Sequence, residues 1–188
     1  MVQSLRSFLE TRLEDEVVSL VSGNAPREIK EIPIKWLTIF RNRKISFANS
    51  IADRIKVVEV SIVENPEDPF KIDGRVVCEI DVTSDMLNAT GAMHEGCAVF
   101  LIDECSACSL AVLNAAEGRP SRPGVSQAIN TIFHSQARLG TRLRIVNTSM
   151  TGGVEMTSCK AEIWDIQNHR LIASGVQLQM MPSRPRKL

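Results

Sequence analysis

The chain has 188 residues, 44% of them hydrophobic and 23% charged, which is enough apolar material for a core and excludes a disordered polymer. Its 22 basic and 22 acidic side chains cancel, which argues against bulk attraction to nucleic acid or to an anionic membrane. The balance hides a split. Residues 1–117 hold 12 basic and 19 acidic side chains (net −7), and residues 118–188 hold 10 and 3 (net +7). A local anion site in the second part is therefore still compatible with a neutral total.

The length fits one domain with an extension. No apolar stretch reaches the roughly 18 residues that a transmembrane helix needs, so no membrane span is expected. Residues 1–16 lack the apolar segment of a signal peptide and are too acidic for a typical transit peptide. Five cysteines, an odd number, favour reduced thiols over a disulfide scaffold. These features predict a cytoplasmic location, with mitochondria left open.

The first 50 residues are predicted to form a helical extension. Apolar side chains at i, i+4 spacing in residues 4–22 predict an amphipathic helix that ends before Gly23. Those apolar positions are Leu5, Leu9, Leu13 and Val17. Pro26 and Pro33 bracket a predicted linker, and residues 34–42 predict a second short helix. A domain boundary is expected near residue 50.

Residues 51–182 are predicted to form an α+β domain, followed by a disordered basic tail at 183–188. Alternating, β-branched segments predict six strands. These strands span 55–63, 74–82, 126–133, 141–149, 157–165 and 170–180. Residues 97–116 are apolar on nearly every side, which predicts a buried helix. One central helix among strands joined by short turns favours an antiparallel sheet wrapped round that helix.

Asp103 is the first candidate functional residue, because it lies inside the predicted buried helix. A buried carboxylate costs several kcal/mol unless it is paired or hydrogen-bonded. From the local sequence alone, a place on an exposed stripe explains Asp103 equally well.

The second candidate region is the approach to the same helix, residues 88–96. A helix N-terminus offers free N–H groups and a positive dipole end that can polarise a carbonyl oxygen. His94 lies just before it and can donate a hydrogen bond. Asn88 and Gly91 are equally typical of an ordinary turn, and a lone histidine is more often structural than catalytic.

Cys105 and Cys108 form a C-x-x-C pair in the middle of the apolar helix. A zinc site needs a second ligand pair at suitable spacing, and His134 and His169 do not supply one. A redox dithiol normally lies at an exposed helix start. Buried small hydrophobes are the favoured interpretation, and no metal or cofactor is expected.

The pattern N-A-x-G-x-x-H-x-G at 88–96, with an aspartate nine residues after its histidine, resembles the hotdog-fold acyl-CoA thioesterases. The branch it is most similar to is thioesterase superfamily member 2 and the phenylacetate-type (PaaI-like) proteins. The similarity continues through GVSQAINTIFHSQARLGTRLRI at 124–145 and covers roughly 50–181. It implies a hotdog fold and hydrolysis of acyl-CoA to free acid and CoA, without cofactor or metal.

The resemblance also implies roles for single residues. Asp103 is the catalytic carboxylate, acting as general base on water or as nucleophile, and Ser126 positions that water or the carboxylate. Asn88 helps to place the nucleophile or the carbonyl. Such a set meets the needs of thioester hydrolysis, in which the water needs a base and the carbonyl oxygen needs donors.

One departure concerns the oxyanion donors, which the resemblance assigns to the backbone N–H groups of Glu95 and Gly96. His94 is expected near the thioester or its sulfur. The family usually has His-Gly-Gly, whereas this chain has His94-Glu95-Gly96. The Glu95 side chain can crowd the acyl group, and a positive φ there would strain it. Alternatively, Glu95 can itself serve as a second carboxylate. If Glu95 is disabling, the chain is a non-catalytic acyl-CoA-binding hotdog protein, and a hotdog hydratase or dehydratase is a separate second alternative.

Geometry adds an expectation about assembly. Asp103 lies about seven residues past the predicted helix start, roughly 10 Å along the axis. Two subunits with antiparallel helices can bring the aspartate of one to the 88–96 loop of the other. We therefore expect a homodimer or homotetramer with sites at the subunit interface, as is usual for the family.

The basic second half suggests a place for the phosphates of CoA. Between residues 119 and 144 there are five arginines and no acid. Arginine suits phosphate oxygens because of its forked donors. The candidates are Arg119, Arg122, Arg138 and Arg142, and each is equally well interpreted as a solvated loop residue.

Overall fold

The computed structural model describes residues 11–41, 47–121, 124–153 and 156–180, with residues 40 and 41 described by their backbone alone. The helices are α1 (Asp15–Ser19), α2 (Arg27–Arg41), α3 (Asn49–Ala52) and α4 (Glu95–Ala116), with a 3-10 turn at Ser84–Met86. The strands are β1 (Lys56–Glu64), β2 (Ile72–Asp81), β3 (Val125–Phe133), β4 (Arg142–Thr151), β5 (Met156–Asp165) and β6 (Arg170–Met180).

Within these residues the six strands form one antiparallel sheet in the order β1-β2-β4-β5-β6-β3. The α+β architecture predicted from the sequence is confirmed, and each predicted strand boundary lies within two residues of the observed one. The sheet wraps α4, whose Leu101, Ile102 and Val112 are fully buried. A helix enclosed in this way needs apolar side chains all round, which is the pattern that the sequence has.

Among the described helices, α4 is long and apolar enough to cross a membrane, judged by length and composition alone. This differs from the expectation that no apolar stretch reaches that length. Of its most apolar window, 67% is buried inside the protein. The sheet therefore supplies the apolar surroundings that this helix requires.

Within the described residues, the amphipathic helix predicted over 4–22 is confirmed only at α1, and its first part, with Leu5 and Leu9, lies outside them. Residues 11–14 are not helical, and α1 has five residues. The chain then leaves the helix because Ser22 exchanges backbone hydrogen bonds with β1, accepting from Val60 N–H and donating to the Val58 carbonyl, both at 3.0 Å. Strand-like pairing with a free sheet edge satisfies these backbone groups in place of a helix.

The predicted linker between Pro26 and Pro33 is also wrong, because α2 begins directly after Pro26 and contains Pro33. The Pro26 carbonyl accepts the first helical hydrogen bonds, from Ile29 and Lys30 at 3.0 Å each. Proline inside a helix removes one hydrogen bond. Burial of the apolar face of α2, including Leu37, offsets that loss.

Two ion pairs that share the buried carboxylate of Glu31 stabilise α2. Glu31 contacts Lys35 at 2.7 Å and Arg27 at 3.3 Å, both at helical spacing. Burial alone would raise the pKa of Glu31, but hydrogen bonds from Lys35 and from the Leu13 backbone, with the charges of Lys35 and Arg27, hold it below its ordinary value. The ionised carboxylate thereby ties the start of the described chain to α2.

One core extends across residue 50, where the sequence predicts a domain boundary. Leu37 and Ile51 belong to the same buried cluster as Val60 and Leu101. The N-terminal segment therefore covers part of the apolar surface that the sheet leaves open. The division of the chain into an extension and a domain stays a prediction.

The two edges of the sheet differ. Residues 22–25 cover β1, where the Ala25 N–H also donates to the Val60 carbonyl at 3.3 Å. No described strand covers β3, and its Val125, Ile132 and Phe133 are exposed. An uncovered edge strand with exposed apolar side chains is a template for pairing with another chain.

We expect Leu37→Ala to lower the free energy of unfolding by about 2–5 kcal/mol, because Leu37 is 2% exposed in the core and its truncation removes buried apolar contacts. Thr38→Ser, one residue further on and half-buried, is the matched control and should cost less than about 1 kcal/mol. Urea denaturation measures both. Equal effects would mean that α2 is an appendage and not part of the core.

Candidate active site

The loop that leads into α4 is anchored by Asp85, in the 3-10 turn before it. The Asp85 carboxylate accepts hydrogen bonds from Thr83 Oγ1 at 2.6 Å, Ser50 Oγ at 2.8 Å and Arg54 Nη2 at 2.9 Å. These bonds, that of Thr83 first, lower the pKa of Asp85 from 3.8 to about 2, against a smaller opposing effect of burial. Asp85 thus fastens the loop to the α3 segment.

Asn88 organises the loop through its side-chain oxygen. Asn88 Oδ1 accepts from the Thr90 N–H at 3.0 Å, the Thr90 hydroxyl at 2.7 Å and the Ala92 N–H at 3.2 Å. Gly91 follows with φ +77°, a conformation that favours glycine. Since Oδ1 is occupied, the Nδ2 amide is the end of Asn88 that remains for a ligand, and no hydrogen bond of Nδ2 occurs among the described residues.

His94 is the N-cap of α4. Its Nδ1 accepts from the Gly96 N–H at 2.9 Å. An accepting Nδ1 carries no proton, so in the neutral ring the proton is on Nε2, which can donate. A Cβ on residue 96 would lie 3.1 Å from His94 Nδ1, which explains why glycine suits this position.

The first turn of α4 leaves one N–H free. The Gly96 N–H is used by His94, and the Cys97 and Ala98 N–H groups both donate to the His94 carbonyl. The Glu95 N–H has no partner among the described residues. Glu95 is the first helical residue and is not among the residues with positive φ, so the strain considered from the sequence is absent.

Asp103 lies half-buried on α4, where side chains from β3 and β6 meet its carboxylate. Ser126 Oγ donates to Asp103 Oδ1 at 2.7 Å, and Gln177 Nε2 donates to the same oxygen. Asp103 Oδ2 has no partner among the described residues. The structure therefore brings Asp103 and Ser126 together, which the sequence could suggest only through family resemblance.

Gln177 is the site residue that sequence reasoning missed. It is fully buried, and it joins Ser126 Oγ to Ser106 Oγ, donating to the first at 2.9 Å and accepting from the second at 2.7 Å. The local pattern points the other way, because Gln177 and Gln179 alternate with apolar residues and such alternation predicts outward-facing amides. The structure instead buries both glutamines and leaves Val176 and Met180 exposed. An amide at an inward position needs hydrogen-bond partners, and Asp103 is one.

The two halves of the site lie apart within one chain. Glu95 and Asp103 are eight residues apart on one helix, which corresponds to roughly 12 Å at the α-helical rise. A cavity of about 210 Å³ opens at the helix N-terminus. It is lined by Met93, Glu95, Ala98, Phe133, His134, Ser135, Gln136, Ala137 and Ile172.

The candidate arginines differ in what they contact. Arg142 donates to Glu79 Oε2 at 2.8 and 3.1 Å, which raises the pKa of its guanidinium. Arg119 pairs with Glu117 and bonds Asn114 at 3.1 Å. Arg138 is exposed, pairs through its backbone with Ala92, and has no acidic partner among the described residues. Arg122 lies outside the described residues.

The five cysteines all lie in the described part of the chain, where they are buried and form no disulfide. Burial, with a smaller effect of the nearby Asp85 charge, raises the pKa of Cys97 to about 11. Burial also raises the pKa of Cys159 to about 11. Within the described part of the chain, no group of three His, Cys, Asp or Glu side chains is placed to hold a metal ion. These thiols therefore act as small apolar side chains.

Because the folded state lowers the pKa of Asp85, this carboxylate stabilises the protein above about pH 4 and loses that contribution as the pH falls towards 2. We expect Asp85→Asn to be less stable than the wild type at neutral pH, with the difference narrowing between pH 4 and 2. Thermal unfolding across this range measures it. A constant difference would contradict the assignment of the hydrogen bonds.

Solved structures share this architecture. Thioesterase superfamily member 2 of zebra fish superposes with a TM-score of 0.63 at 21% identity, covering 79% of this chain and 97% of that one. The Mus musculus protein gives 0.62 at 18% identity, covering 82% and 97%. A hypothetical thioesterase from Streptococcus pneumoniae TIGR4, crystallised with coenzyme A, gives 0.57 at 18% identity, covering 73% and 92%. The fold is therefore the hotdog fold of these thioesterases.

Sequence relatives narrow the class. Acyl-coenzyme A thioesterase 13 of Homo sapiens and that of Pongo abelii are each 30% identical over 102 residues, 54% of this chain and 69% of theirs. The Mus musculus protein is 26% identical over 101 residues. No family sequence model matches the chain. The chain belongs to the acyl-coenzyme A thioesterase 13 family.

Proposed function

We propose that the protein hydrolyses acyl-CoA thioesters to a free acid and CoA, with Asp103 as the catalytic carboxylate. One observation carries the proposal. Ser126 and Gln177 both hold Asp103 Oδ1, so that Oδ2 is the oxygen left for chemistry. A half-buried carboxylate fixed in this way does not need to reorient during the reaction.

Two routes are compatible with that carboxylate. As a general base, Asp103 takes a proton from water while the water oxygen attacks the thioester carbon, and the CoA thiolate then leaves. As a nucleophile, it forms a mixed anhydride that water hydrolyses in a second step. In both routes the thiolate acquires a proton after departure, and no strong acid is required.

The oxyanion donors in this proposal are at the helix N-terminus. The free Glu95 N–H lies at the positive end of α4, where it can meet developing negative charge on the thioester oxygen. Asn88 Nδ2 and His94 Nε2 are further donors in the same loop. The Gly96 N–H becomes a donor only if His94 releases it.

The site is complete, on this proposal, only in a homodimer or in a homotetramer built from such dimers. The roughly 12 Å between Glu95 and Asp103 is too long for one thioester carbonyl to reach both. The free edge of β3, which carries Ser126, supports pairing with a second copy. A partner's 88–96 loop would then face Asp103.

Arg138 is the candidate that we favour for a CoA phosphate. Its backbone pairs with Ala92, so it lies beside the loop that would hold the thioester, and it is exposed. Arg119 and Arg142 are engaged by carboxylates, and a phosphate would have to compete for them.

The non-catalytic alternative rests on Glu95. Its unstrained backbone and free N–H favour turnover over mere binding. A hydratase or dehydratase remains the second alternative. Such enzymes usually pair a histidine with an acid in another arrangement, whereas His94 here caps the helix nine residues before Asp103.

We expect Asp103→Ala to lower kcat by about 10²–10⁴-fold in a thiol-release assay over a panel of acyl-CoA chain lengths. Asp81→Asn, an exposed aspartate at the end of β2, is the control and should keep wild-type turnover. No turnover by wild-type protein on any acyl-CoA would contradict the proposal, and retained binding would then favour the non-catalytic alternative. Hydration of an enoyl-CoA without thiol release would favour the hydratase.

A mixed dimer tests the composite site. Asn88→Asp keeps the Oδ1 acceptor and removes the Nδ2 donor, so it should inactivate the loop without unfolding it. Equal co-expression with Asp103→Ala gives half mixed dimers, each with one intact site, and about a quarter of wild-type activity should return. If both halves belong to one subunit, the mixture will be no more active than its two parents.

A further inference from the structure

We propose that Gln177 is a positioning residue for this reaction, one whose side-chain amide fixes the proton of Ser126 and the free oxygen of Asp103. The inference rests on the proposed function. Gln177 is 0% exposed and therefore does not touch the substrate. It acts through two side chains that can.

The orientation of the Gln177 amide is determined by the donors behind it. Oε1 accepts from Ser106 Oγ at 2.7 Å and from Cys159 Sγ at 3.5 Å. Turning the amide over would place Oε1 against the Asp103 carboxylate, which only accepts hydrogen bonds, and would point Nε2 at the buried hydroxyl. The NH₂ end therefore faces the site.

That orientation determines where the Ser126 proton lies. Gln177 Nε2 donates to Ser126 Oγ at 2.9 Å, so the hydroxyl uses its own proton towards Asp103 Oδ1, at 2.7 Å. Nε2 also donates to the same Oδ1. Two donors on one oxygen fix the position of Oδ1 and leave Oδ2 without a partner among the described residues.

The amide itself is immobilised by three elements. Gln177 is in register with Cys159 of β5 and with Ile129 of β3, and Ser106 meets it from α4. A side chain locked on every side loses little entropy when it positions a reacting group. Ser126 alone, on an exposed edge strand, lacks such support.

The test is Gln177→Leu, which keeps the volume and removes every hydrogen bond. We expect kcat to fall about 10–100-fold, as for loss of an orienting partner, while KM changes less than about threefold. Gln179→Leu is the matched control, since Gln179 is 7% exposed on the same strand and donates no hydrogen bond to Asp103 or Ser126 among the described residues. Its kcat should stay near wild type.

A double variant separates positioning from general stability. Because both residues act through one carboxylate, Gln177→Leu combined with Ser126→Ala should lose little more kcat than the stronger single change. Additive losses, a kcat equal to that of Gln179→Leu, or an effect on KM alone would overturn the inference. Wild-type turnover that Asp103→Ala abolishes keeps the proposed function intact in each of those cases.

If the Gln177→Leu variant does not fold, Gln177→Glu tests the positioning role of the amide instead. It keeps an acceptor for Ser106, but a carboxyl buried against Asp103 holds its proton and offers one O–H in place of the two N–H donors of the amide. We expect it to fold and to lose kcat, because one O–H cannot hold both Asp103 and Ser126. Wild-type kcat in this folded variant would overturn the inference.

Discussion

The structure depends on how one carboxylate is accommodated beside an apolar core. Asp103 occurs on a helix whose neighbours Leu101, Ile102 and Cys105 are fully buried. Such a charge costs several kcal/mol unless hydrogen bonds replace its water. Ser126 and Gln177 provide them from two adjacent strands. The sheet order, which places β3 beside β6, therefore serves the carboxylate as well as the core.

The same requirement explains why polar side chains continue inward from the site. An amide that donates to Asp103 has an oxygen to satisfy, and Ser106 satisfies it. Both residues are fully buried, and a buried polar group is tolerated when all its partners are present. The chain Asp103–Gln177–Ser106 thus ends inside α4, so that the helix carries both the reactive group and the far end of its support.

The sequence alone predicts those strands and helices whose hydrophobic pattern is regular. The alternation in the six strands and the uniform apolarity of α4 reflect burial, which periodicity reports directly. The prediction for the N-terminal segment was wrong because the structure of that segment depends on contacts with parts of the chain that are distant in sequence. Ser22 leaves its helix for the edge of β1, and Pro33 stays in α2 because the core buries that helix. Neither partner is within a local sequence window.

The site shows the same limit. A loop pattern at 88–96 predicts the start of α4, since capping is local, and His94 does cap it. The contact between Asp103 and Ser126 spans 23 residues and that with Gln177 spans 74, so only resemblance or structure can connect them. The role of Glu95 likewise depends on whether its φ is positive. The sequence does not determine this angle, and in the structure Glu95 is helical and has no positive φ.

The opposite charges of the two halves of the chain acquire a structural meaning. Strands β2 and β4 are neighbours, and Arg142 and Arg144 of the basic half contact Glu79 of the acidic half. Arg144 also reaches Glu59 on β1. Cross-strand pairs of this kind stabilise the sheet register and engage Arg142 and Arg144, two of the five arginines between residues 119 and 144. Arg138 lies beside the 88–96 loop and has no acidic partner among the described residues, so its charge is available for a phosphate.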